Sequence, residues 1–202
     1  MVPVLCITRK NGSAKNKDPG EELISEYKSD IMKHGFIKVG AAVPEVTVAS
    51  PMKNAEEICR LIDKADGCNV LVFPELSVTG CTCGDLFFTD GLYRRTVEAI
   101  EVIKNHTAGK KMLVFVGAPV RVNGKLYNCA VVLNDGHVVG LIPKKRLAAD
   151  ALRWFSEYRK ENWTMTSFCG DDVILTDNKV FVSEEAEDLR IGCIQQAQQL
   201  PN

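Results

Sequence analysis

Two charged side chains directly follow apolar segments that are typical of buried strands. Glu75 comes after Val70-Leu71-Val72-Phe73-Pro74, and Lys144 comes after Leu141-Ile142-Pro143. In an open α/β sheet, ligands bind in the crevice beyond the carboxyl ends of the strands. Taken singly, each residue is also typical of a solvated side chain at a strand end. The two together, in this order, are the candidate functional residues of the chain.

The segments before and between these residues alternate between strand and helix patterns. Short apolar runs of the kind that is buried in a sheet occur at 36–42, 69–73 and 112–118. Apolar residues at helical spacing predict helices at 53–66 and 93–105. This order of strand, helix, strand, helix and strand predicts an α/β protein.

The second half of the chain carries the signals of antiparallel strands. Asn123-Gly124 and Asn134-Asp135-Gly136 both lie between apolar strand patterns and are hairpin-turn sequences. Residues 147–163 have an irregular or helical pattern. Two further strands are predicted on either side of Asp177-Asn178, and a last one at 189–193. We therefore expect antiparallel strands beside the α/β part.

The composition excludes several classes of protein. The 202 residues carry 25 Lys and Arg against 26 Asp and Glu, a formal net charge of −1. This balance disfavours a nucleic-acid-binding protein, which carries a surplus of basic residues. The mean hydropathy of −0.05 disfavours global disorder. With no apolar run of membrane-spanning length and no secretory leader pattern, a cytoplasmic protein without a membrane partner is the expectation.

The cysteines and histidines do not have the spacing of a metal site or a disulfide framework. Cys59, Cys68 and Cys129 lie in apolar stretches, where a free thiol behaves as a small core residue. There is no Cys-x-x-Cys pair, and the three histidines lie far apart in the sequence. Reduced thiols and no metal are predicted.

The glutamate and lysine segments resemble motifs of the nitrilase, or carbon–nitrogen hydrolase, superfamily. Phe73-Pro74-Glu75-Leu76-Ser77-Val78-Thr79-Gly80 is similar to its glutamate motif, and Ile142-Pro143-Lys144 is similar to its lysine motif, 69 residues later. Further segments are similar to the glutaminase domain of glutamine-dependent NAD synthetases: His34 to Ala42, Thr82 to Phe87, Val116 to Pro119 and Tyr127 to Val132. The likeness is dense from about Met32 to Lys144.

The resemblance implies a fold and a chemistry. The fold would be an αββα sandwich, incomplete at its C-terminus, with a Glu, Lys and Cys triad at the strand ends. A cysteine thiolate would attack the side-chain amide of glutamine to form a thioester. Glu75 would be the general base, and Lys144 would stabilise the oxyanion. Ammonia would pass to a synthetase domain that uses ATP to complete NAD. The glutaminase part itself would need no cofactor.

The third member of the triad departs from the family pattern. Leu189-Arg190-Ile191-Gly192-Cys193 resembles the strand that leads to the nucleophile, but the aligned nucleophile position is Gln196. Cys193 falls three residues earlier, and such a slip along a strand moves a side chain by roughly 10 Å and turns it to the other face. We therefore expect a chain that belongs to an enzyme family but is itself inactive, with Cys193 as the one fallback nucleophile.

Three other positions also differ from the family pattern. Cys81 stands where the family has a tyrosine after the glutamate motif. Asp150 or Leu152 stands where a substrate-contacting tyrosine is expected, and Trp154 stands at the position of an acidic residue. These departures put the positioning of glutamine in question.

The family-like part has predicted limits within the chain. We expect a poorly structured extension at 1–31, the partial hydrolase domain at 32–193, and an atypical glutamine-rich tail at 194–202. Met32 has the form of a family start, which suggests that the extension and the tail arise from the reading frame. This boundary assignment predicts a chain shorter than the complete domain.

The sequence is compatible with three hypotheses about the function. The chain is the glutaminase portion of a glutamine-dependent NAD synthetase, a non-catalytic remnant that packs against intact subunits, or another carbon–nitrogen hydrolase such as an amidase or carbamoylase. The expected partners under the first are glutamine, a synthetase domain and further copies of the chain, because the family is oligomeric. The Gly35-Phe36 opening and the Thr82-Cys83-Gly84-Asp85 segment argue against the third.

Overall fold

The computed structural model describes residues 4–8, 36–159, 163–177, 180–183 and 186–192. Its main feature is an eight-stranded mixed sheet with the order β1-β2-β3-β4-β5-β6-β8-β7. The strands are β1 (Val4–Thr8), β2 (Phe36–Ala41), β3 (Val70–Val72), β4 (Leu113–Val122), β5 (Lys125–Asn134), β6 (His137–Pro143), β7 (Thr164–Phe168) and β8 (Asp171–Leu175). A separate two-stranded ribbon consists of β9 (Val180–Ser183) and β10 (Ala186–Gly192).

Two helices connect the three central parallel strands. Helix α1 (Pro51–Lys64) links β2 to β3, and helix α2 (Asp90–His106) links β3 to β4. Proline in the first turn of α1 has no amide hydrogen to leave unsatisfied. The Thr89 hydroxyl accepts from the Leu92 amide and caps α2. None of the helices in the described ranges is long and apolar enough to cross a membrane.

The two predicted hairpins are present and follow from turn residues that accept positive φ. Asn123 and Gly124, at φ of 49° and 74°, join β4 to β5. Asp135 and Gly136, at 44° and 77°, join β5 to β6. Positive φ at both central residues favours the right-handed twist of a two-residue hairpin, and Asn, Asp and Gly tolerate it best. Strands β4, β5 and β6 thus form an antiparallel meander beside the parallel strands.

The sheet has two apolar faces, and the helices cover one of them. The larger core joins α1 and α2 to the sheet through fully buried side chains such as Ile58, Ile100, Leu71, Val116 and Val131. The opposite face carries a smaller cluster of Leu113, Val132 and Ile142, with Phe115, Ala130 and Val139 packed against it. Alternating residues of the same strands therefore serve two different cores.

The α/β class and the nitrilase-like mixed sheet with helices are confirmed. The predicted elements at 36–42, 53–66, 69–73, 93–105 and 112–118 are all present with small changes at their ends. The described residues form one helical layer and one large sheet. The second half of the αββα sandwich stays a prediction.

The structure differs from the sequence-based expectation after Lys144. Residues 147–159 hold only a short 3-10 helix, Ala151–Arg153. Strand β7 was not expected; it pairs with β8 across Cys169-Gly170, both at positive φ. The strands on either side of Asp177 exist, but β8 belongs to the large sheet and β9 to the ribbon.

The predicted outer segments are described only in part. Within the segment expected to have little structure, Val4–Thr8 forms the edge strand β1, antiparallel to β2. Residues 9–35 and 193–202 lie outside the described residues. The boundaries at Met32 and Cys193 therefore stay predictions.

Candidate active site

Glu75 sits on a tight turn that begins directly after β3. Leu76 has a φ of 51°, a left-handed conformation that is uncommon for a leucine. Its side chain is buried. The amides of Ser77 and Gly80 donate to the carbonyls of Pro74 and Leu76, at 3.2 and 2.7 Å. The chain therefore reverses sharply just after Glu75, and the carboxylate lies at the carboxyl edge of the sheet.

Strand β4 supports this turn from below through Gly117. The Gly117 amide donates to the Ser77 hydroxyl at 3.3 Å, and its carbonyl accepts from the Val78 amide at 3.1 Å. A Cβ at this position would overlap the Leu76 nitrogen and the Pro74 oxygen, and would lie 2.8 Å from the Glu75 carbonyl carbon. Only glycine lets β4 approach the turn this closely.

Lys144 reaches Glu75 from the end of β6. Strand β6 runs in the same direction as β3 and β4, so both candidate residues come out at one edge of the sheet. The Lys144 Nζ donates to both carboxylate oxygens of Glu75, at 2.7 and 2.8 Å. The side chains stay 39% and 48% exposed. The structure therefore brings the two predicted residues together in a solvent-accessible pair.

Asn128 on β5 completes the contacts of this carboxylate. Its Nδ2 donates to Glu75 Oε1 at 2.5 Å, and the residue is buried. The sequence analysis quoted Asn128 only as part of a similar segment and gave it no role. An amide in a strand whose neighbours are apolar is the signal that points to it.

Cys81 lies at the same edge of the sheet. Its thiol donates to the Glu75 carbonyl oxygen at 3.4 Å and is exposed. Although the residue as a whole is exposed, the partial shielding of its sulfur from water raises the pKa of the Cys81 thiol. The negative charge of Glu75 raises this pKa further, whereas the positive charge of Lys144 lowers it. The resting thiol is therefore protonated at neutral pH. Cys59, Cys68 and Cys129 are free and buried, as predicted, and so are Cys83 and Cys169.

A second ion pair ties together the two loops that follow the candidate residues. Arg153 donates through Nε and Nη2 to both oxygens of Asp85, each at 2.9 Å, and Trp154 Nε1 donates to the same carboxylate at 3.0 Å. Arg153 first and Trp154 second lower the pKa of Asp85 to about 2. The aromatic rings of Phe87, Trp154 and Phe155 pack beside this contact. Trp154 thus holds a loop in place.

The remaining predicted positions have distinct places. Asp150 accepts from the Ala151 amide and caps the short 3-10 helix, and Leu152 is exposed. Cys193 and Gln196, the two candidates for the nucleophile position, lie outside the described residues. Within the described ranges, no group of three or more His, Cys, Asp or Glu side chains is arranged to hold a metal ion. The site as described consists of the Glu75 carboxylate, with the Lys144 ammonium and the Asn128 side-chain amide both donating to it.

A family model agrees with this fold. Residues 39–192 match the carbon–nitrogen hydrolase family, and the chain belongs to that family.

Individual relatives indicate a narrower group of proteins within this family. A glutamine-dependent NAD(+) synthetase of Mycobacterium tuberculosis is 32% identical over 117 residues, which cover 57% of this chain and 17% of that protein. The crystal structure of a glutamine-dependent NAD(+) synthetase from Cytophaga hutchinsonii superposes with a TM-score of 0.69 at 27% identity, covering 77% of this chain and 27% of that one. The chain thus matches only about a fifth of the length of these relatives. An amidase from Nesterenkonia, at 13% identity and a TM-score of 0.50, shares the fold.

Proposed function

We propose that this chain is the glutamine amidohydrolase part of a glutamine-dependent NAD synthetase. The observation that carries the proposal is the Lys144 ammonium on both oxygens of Glu75 at the carboxyl edge of the sheet. A base and a cation in contact are the groups that amide hydrolysis by a thiol requires. The relatives named above supply the substrate class, because they are glutamine-dependent synthetases.

The proposed roles follow the charge that develops during the reaction. Glu75 takes the proton of a cysteine thiol as sulfur attacks the amide carbon, and Lys144 stabilises the negative oxygen of the tetrahedral intermediate. When the C–N bond breaks, protonated Glu75 returns its proton to the leaving ammonia. Glu75 then takes a proton from water, whose oxygen attacks the thioester carbon. As the C–S bond breaks, Glu75 returns this proton to the departing sulfur, so that glutamate and the free thiol are released. No step needs a metal ion or a redox cofactor, and ATP would serve only a synthetase domain.

Whether this chain hydrolyses glutamine by itself depends on the presence of a nucleophile. Gln196 stands at the aligned nucleophile position, and an amide side chain forms no thioester. The exposed Cys81 thiol is protonated at neutral pH, which does not favour it as a replacement. We therefore propose that the site binds glutamine but releases no ammonia. A synthetase domain that would receive ammonia and further copies of the chain are the proposed partners.

Binding and turnover are tested separately on the 202-residue chain. L-glutamine is expected to shift the NMR resonances of Glu75 and Lys144 at millimolar concentration, and D-glutamine and acetamide are expected to shift them less. Glu75→Gln should weaken this response, whereas Glu98→Gln, which removes an exposed carboxylate on α2, should not. No response to saturating L-glutamine contradicts the proposed substrate. A larger response to acetamide favours an aliphatic amidase.

The turnover assay follows ammonia and glutamate release from L-glutamine. No release above the blank is expected. Release that disappears in Cys193→Ser makes Cys193 the nucleophile and overturns the proposed inactivity. Release that persists in Cys193→Ser but disappears in Cys81→Ser places the nucleophile at Cys81 and overturns it equally.

A further inference from the structure

We propose that Asn128 is a positioning residue that fixes Glu75 relative to Lys144. The proposal rests on the proposed function only for the roles of those two residues. Asn128 contacts both of them, through different parts of the same residue. Its side chain donates to Glu75 Oε1 at 2.5 Å, and its carbonyl oxygen accepts from the Lys144 amide at 2.7 Å.

The pair needs such an anchor because it is exposed. The side chains of Lys144 and Glu75 are 39% and 48% accessible to solvent. Exposed ion pairs between long side chains are weak, since water screens them and the side chains lose rotamer freedom when they pair. Amide hydrolysis nevertheless requires the base and the oxyanion donor in one fixed geometry. Charge attraction alone therefore does not explain a fixed arrangement of this pair.

Asn128 has the rigidity that the pair lacks. It is 4% exposed and lies within β5, hydrogen-bonded between β4 and β6. Its backbone contact with Lys144 extends the β5–β6 ladder by one residue beyond Pro143, the last residue of β6. The lysine therefore leaves the sheet at a position that Asn128 sets.

The side chain of Asn128 is polar, whereas the next two side chains on its face of β5 are apolar. Alternation along β5 places it on the face of Ala130 and Val132, which belong to the small apolar cluster, whereas Tyr127 and Cys129 belong to the helical core. Burying an amide on such a face costs free energy unless its groups find partners. The carboxylate of Glu75 is the partner that meets this need, and a hydrogen bond to a charged acceptor is strong.

The proposal is tested by the reactivity of the Lys144 amine. The wild-type chain and three variants, Asn128→Ala, Asn128→Asp and Asn134→Ala, are labelled with a limiting amount of acetic anhydride at neutral pH. Mass spectrometry then gives the labelling rate of Lys144 relative to Lys125, an exposed lysine at the start of β5. Asn134 is a matched control, because it is an asparagine on the same strand at its far end.

The two Asn128 variants are expected to change the rate in opposite directions. Asn128→Ala frees the carboxylate and raises the labelling of Lys144 about two- to five-fold, the factor expected for a weakened ion pair. Asn128→Asp keeps the shape but adds a second carboxylate, which strengthens the attraction that holds the Lys144 ammonium in the pair and lowers the labelling. Asn134→Ala leaves it unchanged. General damage to the fold would raise the rate in both Asn128 variants, and that result, or no change in either, overturns the proposal.

A second measurement covers the case in which an Asn128 variant does not fold. In the wild-type chain, the Asn128 side-chain amide proton that contacts Glu75 is expected to resonate downfield of the Asn134 amide protons. Glu75→Gln, which keeps the shape of the side chain, should move the Asn128 signal and leave that of Asn134 in place. An unmoved Asn128 signal overturns the proposal. Neither readout needs glutamine turnover, so failure of glutamine binding or hydrolysis is distinguishable from failure of the Asn128 role.

Discussion

Strand β6 has an ion-pair cluster at each end, and the two clusters are built differently. Beyond its carboxyl end, Lys144 meets Glu75 in an exposed pair. At its start, the Asp171 carboxylate accepts from the Val138 amide at 2.9 Å, contacts His137 Nδ1 at 3.0 Å and lies 3.5 Å from Lys104 Nζ. The side chains of Asp171 and Lys104 are only 18% and 14% exposed.

The Asp171 cluster has the features of an ion pair that stabilises the fold, whereas the Glu75 pair has those of groups that a substrate can reach. Asp171 is shielded and joins β6, β8 and α2, so its contacts contribute to stability. Glu75 is open to solvent and directly precedes Leu76, which has a strained left-handed conformation. Strain and exposure cost stability and are typical of functional positions. This difference supports the proposal that the Glu75 end of the sheet is the functional end.

The largest expected effect tests whether the strained turn depends on Gly117. Gly117→Ala forces β4 and the Glu75 turn apart, and we expect a loss of about 1–3 kcal/mol in the free energy of unfolding, typical of an overpacked site. The labelling of Lys144 should rise as Glu75 moves. Urea denaturation measures the first effect and acetic anhydride labelling the second.

The matched control is Gly91→Ala in helix α2, where a Cβ meets nothing within 4 Å. Alanine is favoured over glycine in a helix, so this variant should be neutral or slightly more stable. Equal effects of the two substitutions would show that Gly117 has no special role in supporting the turn.

A comparison of Asp171→Asn with Glu75→Gln tests the two clusters directly. We expect Asp171→Asn to cost about 1–2 kcal/mol at pH 7, because charge-assisted bonds are lost from a shielded site. Glu75→Gln should cost no more than about 1 kcal/mol, the range of exposed pairs. Urea denaturation of both variants measures the difference. A larger loss in Glu75→Gln would reverse the assignment of the two ends.

The pH dependence of the Asp171 contribution has a defined sign. Burial alone would raise the pKa of Asp171, but the Val138 amide, His137 and Lys104 together lower it below its ordinary value of 3.8. Its contribution is therefore present in full above the unfolded pKa and is lost as the pH falls through the folded pKa. The stability difference between wild type and Asp171→Asn should shrink below about pH 4. A constant difference down to pH 3 would contradict this cause.

The smallest expected effect concerns the loop contact near Glu75. Arg153→Ala removes both guanidinium bonds to Asp85 and should release Trp154, with a red shift of its fluorescence in a Trp163→Phe background. The pKa of Asp85 is lowered to about 2. In the wild-type chain, the Arg153–Asp85 contact should therefore persist down to about pH 3 and be lost only below it. Lys125→Ala, away from this contact, is the control. An unchanged emission spectrum in Arg153→Ala would show that the pair does not hold the loop.

Local patterns predicted most of the central fold. Helices α1 and α2 follow from their apolar spacing, and the two hairpins follow from Asn123-Gly124 and Asp135-Gly136, whose positive φ is a local property. Strand β7 was missed because its alternating pattern is weak and Cys169-Gly170 is not a standard turn signal. The separation of β8 and β9 into different sheets was not predictable, because strand pairing depends on distant parts of the chain.

The α/β class, the alternation of strands and helices from β2 to β4, the two hairpins and the two charged residues at strand ends were all predictable from the sequence. Only the folded structure shows that Lys144 contacts Glu75, that Asn128 contacts both residues and that position 117 requires a glycine. The physical reason is range. Helix periodicity and turn chemistry act over a few residues. The side-chain contacts that join Gly117, Asn128 and Lys144 to the Glu75 turn link residues 40 to 69 positions apart, and they form only after four strands have paired in one register.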